Sequence, residues 1–254
     1  MWGFSLPYIL YQSLKDGEYE IDLQTKHQKG KMKVLEYTHR GRTPETVIFN
    51  AHNCHAAQLN DGPAGFAVFV EVMKRLRQRK TRLTYRLVIA PEHLGTVFYL
   101  ANLKKKQIKN FKHGVFVEMV GHDNPRVALQ ESFTGNSLID RAAKQVLKFY
   151  PGGFWQAPFR KILGNDETVW EAPGIEVPTI SLSRCESSNF YYPEYHLDSD
   201  NLRVIHENRL EETVELLLEI IYVLENNVYL QRRFDGLIAL SNPKFDLYVA
   251  PGTD

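Results

Sequence analysis

Between residues 46 and 226 the chain repeats one pattern. A short, nearly continuous apolar run is followed by a longer segment with apolar residues three or four positions apart. Thr46-Val47-Ile48-Phe49-Asn50-Ala51 is the first apolar run; residues 84–90, 114–120 and 179–183 are the others. Runs of this length and β-branched content predict strands buried on both faces. The longer period predicts helices over residues 63–79, 96–105, 137–149 and 210–226. Asp61 stands near the cap of the first of these helices, and Pro63 suits its first turn. Strands alternating with helices predict an α/β fold: a mostly parallel central sheet with helices on both faces.

Upstream the grammar is different. Tyr19-Glu20-Ile21-Asp22-Leu23 and Lys31-Met32-Lys33-Val34-Leu35-Glu36-Tyr37 alternate with a period of two, with Gln28-Lys29-Gly30 as a turn between them. This predicts a small β-rich subdomain over residues 1–45 and the α/β domain over 46–227. Residues 228–254 lose the periodicity and read as a tail.

Composition narrows the class. Of 254 residues, 43% are apolar and 24% charged, which is ordinary for a globular domain. At this length about three quarters of the unfolded surface can be buried, without disulfide staples. Lys and Arg number 31 against 30 Asp and Glu, for a net charge of +1, so neither nucleic acid nor a membrane surface is the expected partner. The two cysteines, Cys54 and Cys185, form no disulfide framework and fit a reducing cytoplasm. A homo-oligomer is left open. The start on Met1-Trp2-Gly3-Phe4-Ser5 lacks the regions of a signal peptide, and its abruptness is that of a fragment or an excised domain.

Candidate chemistry gathers where parallel sheets bind ligands, at the carboxyl ends of the strands. The first strand ends in Ala51-His52-Asn53-Cys54-His55, the next in Pro91-Glu92-His93, and the third carries Glu118. Asp61 precedes a helix, and Tyr195-His196-Leu197-Asp198 lies in a later loop. Imidazole and carboxylate ligands suit zinc, and a neighbouring carboxylate suits the role of general base. His52, Asp61, Glu92, His93, Glu118 and His196 supply both. A lone histidine at a strand end is more often structural, and Asp61 alone would most simply cap its helix. Glu118 is more telling, because a carboxylate within an apolar strand needs a cation or a metal.

These segments resemble the co-catalytic zinc aminopeptidase family, which also holds glutaminyl cyclases. That family shows Ala-His-x-Asp, Asn-Asp-x-x-Ser-Gly, Glu-Glu-x-Gly, Asp-Met-x-Gly, Ser-Asp and Tyr-His-x-x-x-Asp. Here, in the same order, stand Ala51-His52-Asn53-Cys54, Asn60-Asp61-Gly62-Pro63-Ala64-Gly65, Glu92-His93-Leu94-Gly95, Glu118-Met119-Val120-Gly121, Asn165-Asp166-Glu167, and Tyr195-His196 with Asp200-Asn201. The resemblance implies that His52 and Glu118 hold one zinc, that His93 and His196 hold a second, and that Asp61 bridges them. It implies Glu92 as general base, with Tyr195 or Asp166 contacting substrate. A closer resemblance is to aminopeptidase-like proteins encoded beside polysaccharide-biosynthesis genes, which carry an inserted small β domain and a winged-helix segment. Trp2-Gly3-Phe4, His52-Asn53-Cys54-His55 and Pro193-Glu194-Tyr195-His196 carry that likeness. It implies that flanking N-terminal helices and a C-terminal winged helix are missing here. That group usually lacks a Glu at position 92, so retaining Glu92 favours hydrolysis.

The expected activity is cleavage of an amide in a peptide or small aminoacyl compound. A deacylase acting on an amino sugar or small metabolite is the enzymatic rival, and a silent zinc-retaining binding module the non-enzymatic one. Cys54 stands where the family has the Asp that orients His52, and a small buried residue is the expected reading of that thiol. His55 competes with His52 as a ligand. Zinc occupancy is one ion, on Asp61, His93 and His196, or two. Arg184 is expected in a salt bridge, and His113, His122 and His206 in surface or structural places.

Overall fold

Thr46–His52 (β2) is buried along its whole length, as its unbroken apolar run requires. Alternate side chains serve two cores: Val47, Phe49 and Ala51 face one, and Ile48 the other. Thr179–Ser183 (β7) is buried throughout and Thr84–Ala90 (β3) at every position but Arg86, and both coincide with their expected runs. The computed structural model describes residues 6–54, 58–236, 240–250 and 252.

The remaining strands are Leu35–His39 (β1), Phe111–Val117 (β4), Val127–Gln130 (β5) and Phe154–Ala157 (β6). They complete one seven-stranded sheet of order β1-β3-β2-β4-β7-β5-β6. The pairs β3–β2, β2–β4, β4–β7 and β5–β6 are parallel, whereas β1–β3 and β5–β7 are antiparallel. The sheet is therefore mixed, with a parallel centre. Pro63–Arg77 (α2), Leu138–Leu147 (α5) and Glu207–Asn226 (α7) pack together on one face and bury the larger core. Leu94–Ala101 (α3) and the short Glu167–Trp170 (α6) cover the other, around Trp170, Phe111 and Ile48. Helices thus lie on both faces, as the alternation of elements predicts.

Several boundaries differ. No strand forms at residues 19–23, and Tyr19, Ile21 and Leu23 are exposed. Alternation marks a two-faced segment, but a strand also needs a partner edge, and only β1 finds one, on β3. Among the described residues before β1, regular structure is confined to Tyr8–Ser13 (α1), which buries no residue. The β1 strand thus belongs to the main sheet although it lies before residue 46. The expected helix over 96–105 is two pieces, α3 and Lys105–Ile108 (α4). The expected strand over 114–120 ends at Val117, which leaves Glu118 just beyond the last strand residue. β5 and β6, four residues each, are too short to register as a period. No described residue after Asn226 lies in a helix or strand, and no helix among the described residues is long and apolar enough to cross a membrane.

Candidate metal centre

The topology itself selects a place for the site. From β2 the chain goes through α2 to β3 on one side, then returns to β4 on the other side of β2. The crevice at such a reversal opens between the carboxyl ends of the two flanking strands. His52 is the last residue of β2, and Glu118 directly follows β4. Because Asn50 pairs with Phe116, the register brings His52 and Glu118 side by side.

Asp61 arrives from the turn before α2, and two glycines let it come close. At Gly62, with φ of 105°, a Cβ would stand 2.9 Å from the His52 carbonyl oxygen. At Gly65 a Cβ would stand 1.9 Å from the Val117 carbonyl oxygen and 3.3 Å from Glu118 Cα. Helix α2 therefore rests directly on the ends of β2 and β4. The cap of α2 is Gly62, without a side-chain bond, so Asp61 does not cap it. Its carboxylate turns instead to His52 and His196. Asp200, fully buried, fixes this turn by accepting from the Asn60 and Asp61 N–H groups at 2.9 and 3.2 Å and from the Tyr192 hydroxyl at 2.9 Å.

His52 Nε2 lies 3.2 Å from Asp61 Oδ1 and 2.7 Å from Glu118 Oε2. The three residues are 1%, 4% and 2% exposed, and their ligand atoms lie within 4.8 Å of one another. Asn165 Nδ2 donates to Glu118 Oε2 at 2.9 Å. Burial works to lower the His52 pKa, but hydrogen bonds with Asp61, Cys54 and Glu118 outweigh it and hold the imidazole well above its ordinary value. Burial pushes Glu118 up to about 8 despite His52, with the Asp61 and Glu167 carboxylates adding to the rise. One imidazolium therefore does not compensate the acids gathered here. Two buried carboxylates and one imidazole converging on a single point fit a divalent cation, which would supply the missing charge.

The other expected residues sit differently. His196 Nε2 is 3.1 Å from Asp61 Oδ2, with its side chain 51% exposed and its ring stacked on Tyr195. Asp61 thus touches a histidine with each oxygen. Glu92 lines a cavity of about 80 Å³ together with Asp61, Glu118, Asn165, Tyr195 and His196. His93 does not join a ligand cluster among the described residues: its side chain is 44% exposed, and its Nε2 lies 3.8 Å from Glu92 Oε1. His93, Met119 and His196 all have φ between 52° and 58°, a left-handed backbone costly for side-chain-bearing residues and clustered here around the site.

Asp166 does not line the cavity. It accepts from the His93 N–H at 2.5 Å and from Thr96 Oγ1 at 2.7 Å. It thereby ties the start of α3 to the start of α6. Cys54 is exposed rather than buried, with its sulfur 3.3 Å from His52 Nδ1. His55 lies outside the described residues. Arg184 is fully buried and pairs with Glu212 at 3.0 Å. His113 and His122 are held down to about 4 by burial, with neighbouring cations adding to the fall. The hydrogen bonds of Asn165 to Glu118 and of Asp200 to the Asp61 turn were not visible in the sequence, where only the place of these residues in the ordered motifs marked them.

The comparisons agree with this fold. A Clostridium acetobutylicum protein assigned as a polysaccharide biosynthesis protein with an aminopeptidase-like domain is 31% identical over 226 residues, covering 89% of this chain. The chain spans about half of that relative's length, 51%. A solved structure from Clostridium acetobutylicum, assigned as a peptidase, is 29% identical at a TM-score of 0.71, covering 76% of this chain and 44% of its own. A zinc aminopeptidase from Bacillus subtilis shares the fold at a TM-score of 0.65 and 16% identity, over 75% of this chain and 49% of its own. The expected likeness to aminopeptidase-like proteins associated with polysaccharide biosynthesis therefore holds. Over residues 5–227 the chain matches, and belongs to, the family described as a domain of unknown function, DUF4910.

Proposed function

We propose that this chain is a zinc-dependent hydrolase of the aminopeptidase type, cleaving an amide bond in a peptide or small aminoacyl compound. The observation that carries the reading is the buried His52–Asp61–Glu118 cluster opening on the same small cavity as Glu92. His52 and Glu118 would hold one ion, with Asp61 shared toward His196 and His93. Zinc, when bound, supplies Lewis acidity that acidifies water and polarises the scissile carbonyl. Glu92 accepts the proton of the attacking water and returns it to the leaving amine. Asn165 keeps Glu118 oriented, and Asp200 keeps Asp61 in place. Tyr191, Tyr195, Leu163 and Met119 give the cavity an apolar side against which substrate packs.

The test is zinc content together with hydrolysis of aminoacyl amides by the wild type and Glu92→Gln. The variant should keep its zinc and lose activity by about 10²- to 10⁴-fold. Activity that survives the substitution removes Glu92 as base. Absence of zinc after metal-replete purification removes the metal reading.

One observation favours a second reading, a zinc-retaining binding module. His93 stands outside the ligand cluster, so the second ion's ligand set is incomplete in this conformation. Stoichiometric zinc with no turnover on aminoacyl or N-acyl amides would select it.

A further inference from the structure

We propose that Cys54 is a positioning residue of the metal centre: its sulfur accepts the Nδ1–H of His52 and so fixes the ring orientation that presents Nε2 to Asp61 and Glu118. The inference rests on the metal reading above.

The ring needs such a partner. Phe116 stacks on His52 with centroids 6.0 Å apart, and the turn at Gly62 closes over it. These contacts hold the ring plane but cannot choose between its two flips. A half-turn about Cβ–Cγ exchanges Nε2 with Cε1 and Nδ1 with Cδ2 while leaving the ring's shape almost unchanged. Polar groups at the two nitrogens tell them apart: the Asp61 and Glu118 carboxylates at Nε2, and a partner on the Nδ1 side. Cys54 Sγ is that partner, 3.3 Å from Nδ1 and within hydrogen-bond reach for sulfur.

Direct ligation of the same ion by Cys54 is excluded by direction. Asp61 and Glu118 meet Nε2, whereas the sulfur meets Nδ1, and the two nitrogens' lone pairs diverge. When Nε2 serves as a ligand through its lone pair, neutral imidazole carries its proton on Nδ1, pointing at the sulfur. A packing role alone is also a poor fit. Cys54 is exposed, whereas Cys185 is buried in an apolar cluster with Met119 and Tyr192. On its other side the Cys54 thiol points to Glu92 Oε2 at 3.9 Å, at the long end of a sulfur hydrogen bond. His52, Cys54 and Glu92 form the second compact polar group of the site. Cys54 therefore stands between His52 and Glu92, touching both.

The experiment measures Zn²⁺ affinity of the whole chain by chelator competition, for the wild type, Cys54→Ala and Cys54→Ser, with the unfolding midpoint of each metal-free protein alongside. Cys54→Ala should bind zinc about 10- to 100-fold more weakly. Its metal-free midpoint should stay at the wild-type value. Cys54→Ser, a neutral acceptor of similar size, should recover most of the affinity. Wild-type affinity in Cys54→Ala overturns the proposal, as does equal weakening by Ala and Ser, which would mark a role for sulfur other than accepting a hydrogen bond. A loss of affinity matched by a fall in the metal-free midpoint overturns it in favour of plain packing. Absence of zinc binding by the wild type is a different failure: it removes the metal reading, and this proposal with it.

Discussion

At the ends of β2 and β4, His52 and Glu118 are almost wholly buried and converge with Asp61. On the loops after β3 and before α7, His93 and His196 are about half exposed; only His196 reaches Asp61. The first group hangs from neighbouring parallel strands, whose pairing register sets the two residues side by side. The second hangs from left-handed loop residues that depend on remote support, such as the Asp166 carboxylate behind His93. Residues of the same chemical type are therefore placed differently. In the proposed site the strand-end residues are already gathered with Asp61, whereas His93 stands outside that group.

The largest expected effect separates the two groups. Glu118→Gln removes a proposed ligand from the gathered group and should weaken the tightest zinc by on the order of 100-fold or more, beyond what loss of an outer hydrogen-bond partner costs. His93→Ala should weaken that same ion by less than about 10-fold. Chelator competition on both variants reads the difference directly, and equal losses would dissolve the contrast.

The next effect strikes the support of the gathered group. Gly65→Ala drives a methyl group into the Val117 carbonyl and pushes α2 off the end of β4. Overpacking of this kind costs about 1–3 kcal/mol. Urea unfolding should show that loss, and zinc affinity should fall with it as Glu118 is displaced. Unchanged affinity would mean that the site does not depend on this close approach.

The smallest effect is a pH dependence. Burial raises Glu118 to about 8, and hydrogen bonds with Asp61, Cys54 and Glu118 raise His52, so the metal-free cluster holds protons near neutral pH. Zinc must displace them, so affinity should rise as pH goes from 6 to 8, with protons released on binding. Calorimetry in two buffers of different ionisation enthalpy counts them. The same shift acts on the metal-free fold. A carboxyl group whose pKa is raised by folding stabilises most while protonated in both states, below its unfolded pKa. That stability is lost as pH rises through about 8. Binding without proton release would mean that the cluster is already deprotonated.

Legibility in the sequence followed how local each determinant was. β3 and β7 matched their apolar runs residue for residue, because a strand buried on both faces writes its whole length into the sequence. The histidines and carboxylates of the site were also legible, since they sit at element ends in a fixed order. Asp61 taken alone read as a helix cap and only the ordered motifs marked it as a metal residue; in the fold it faces His52 and His196. What Asp166 touches, the His93 N–H and Thr96 at the start of α3, left no local mark in the sequence. Cys54 looked like a small buried residue, and only the direction of His52 Nδ1 revealed what it touches. The strand expected at 19–23 failed because alternation reports two faces but not whether a sheet edge is there to pair with.

The sequence by itself determined the class of fold, the parallel centre of its sheet and the identities of the groups that could hold a metal. Each follows from short-range periodicity or side-chain chemistry. Only the tertiary structure decided which of those groups meet. The strand order sets β2 beside β4, Gly62 and Gly65 let α2 close on their ends, and His93 stays outside the group so formed. Convergence of residues tens of positions apart depends on pairing and close packing between elements, and a linear pattern carries neither.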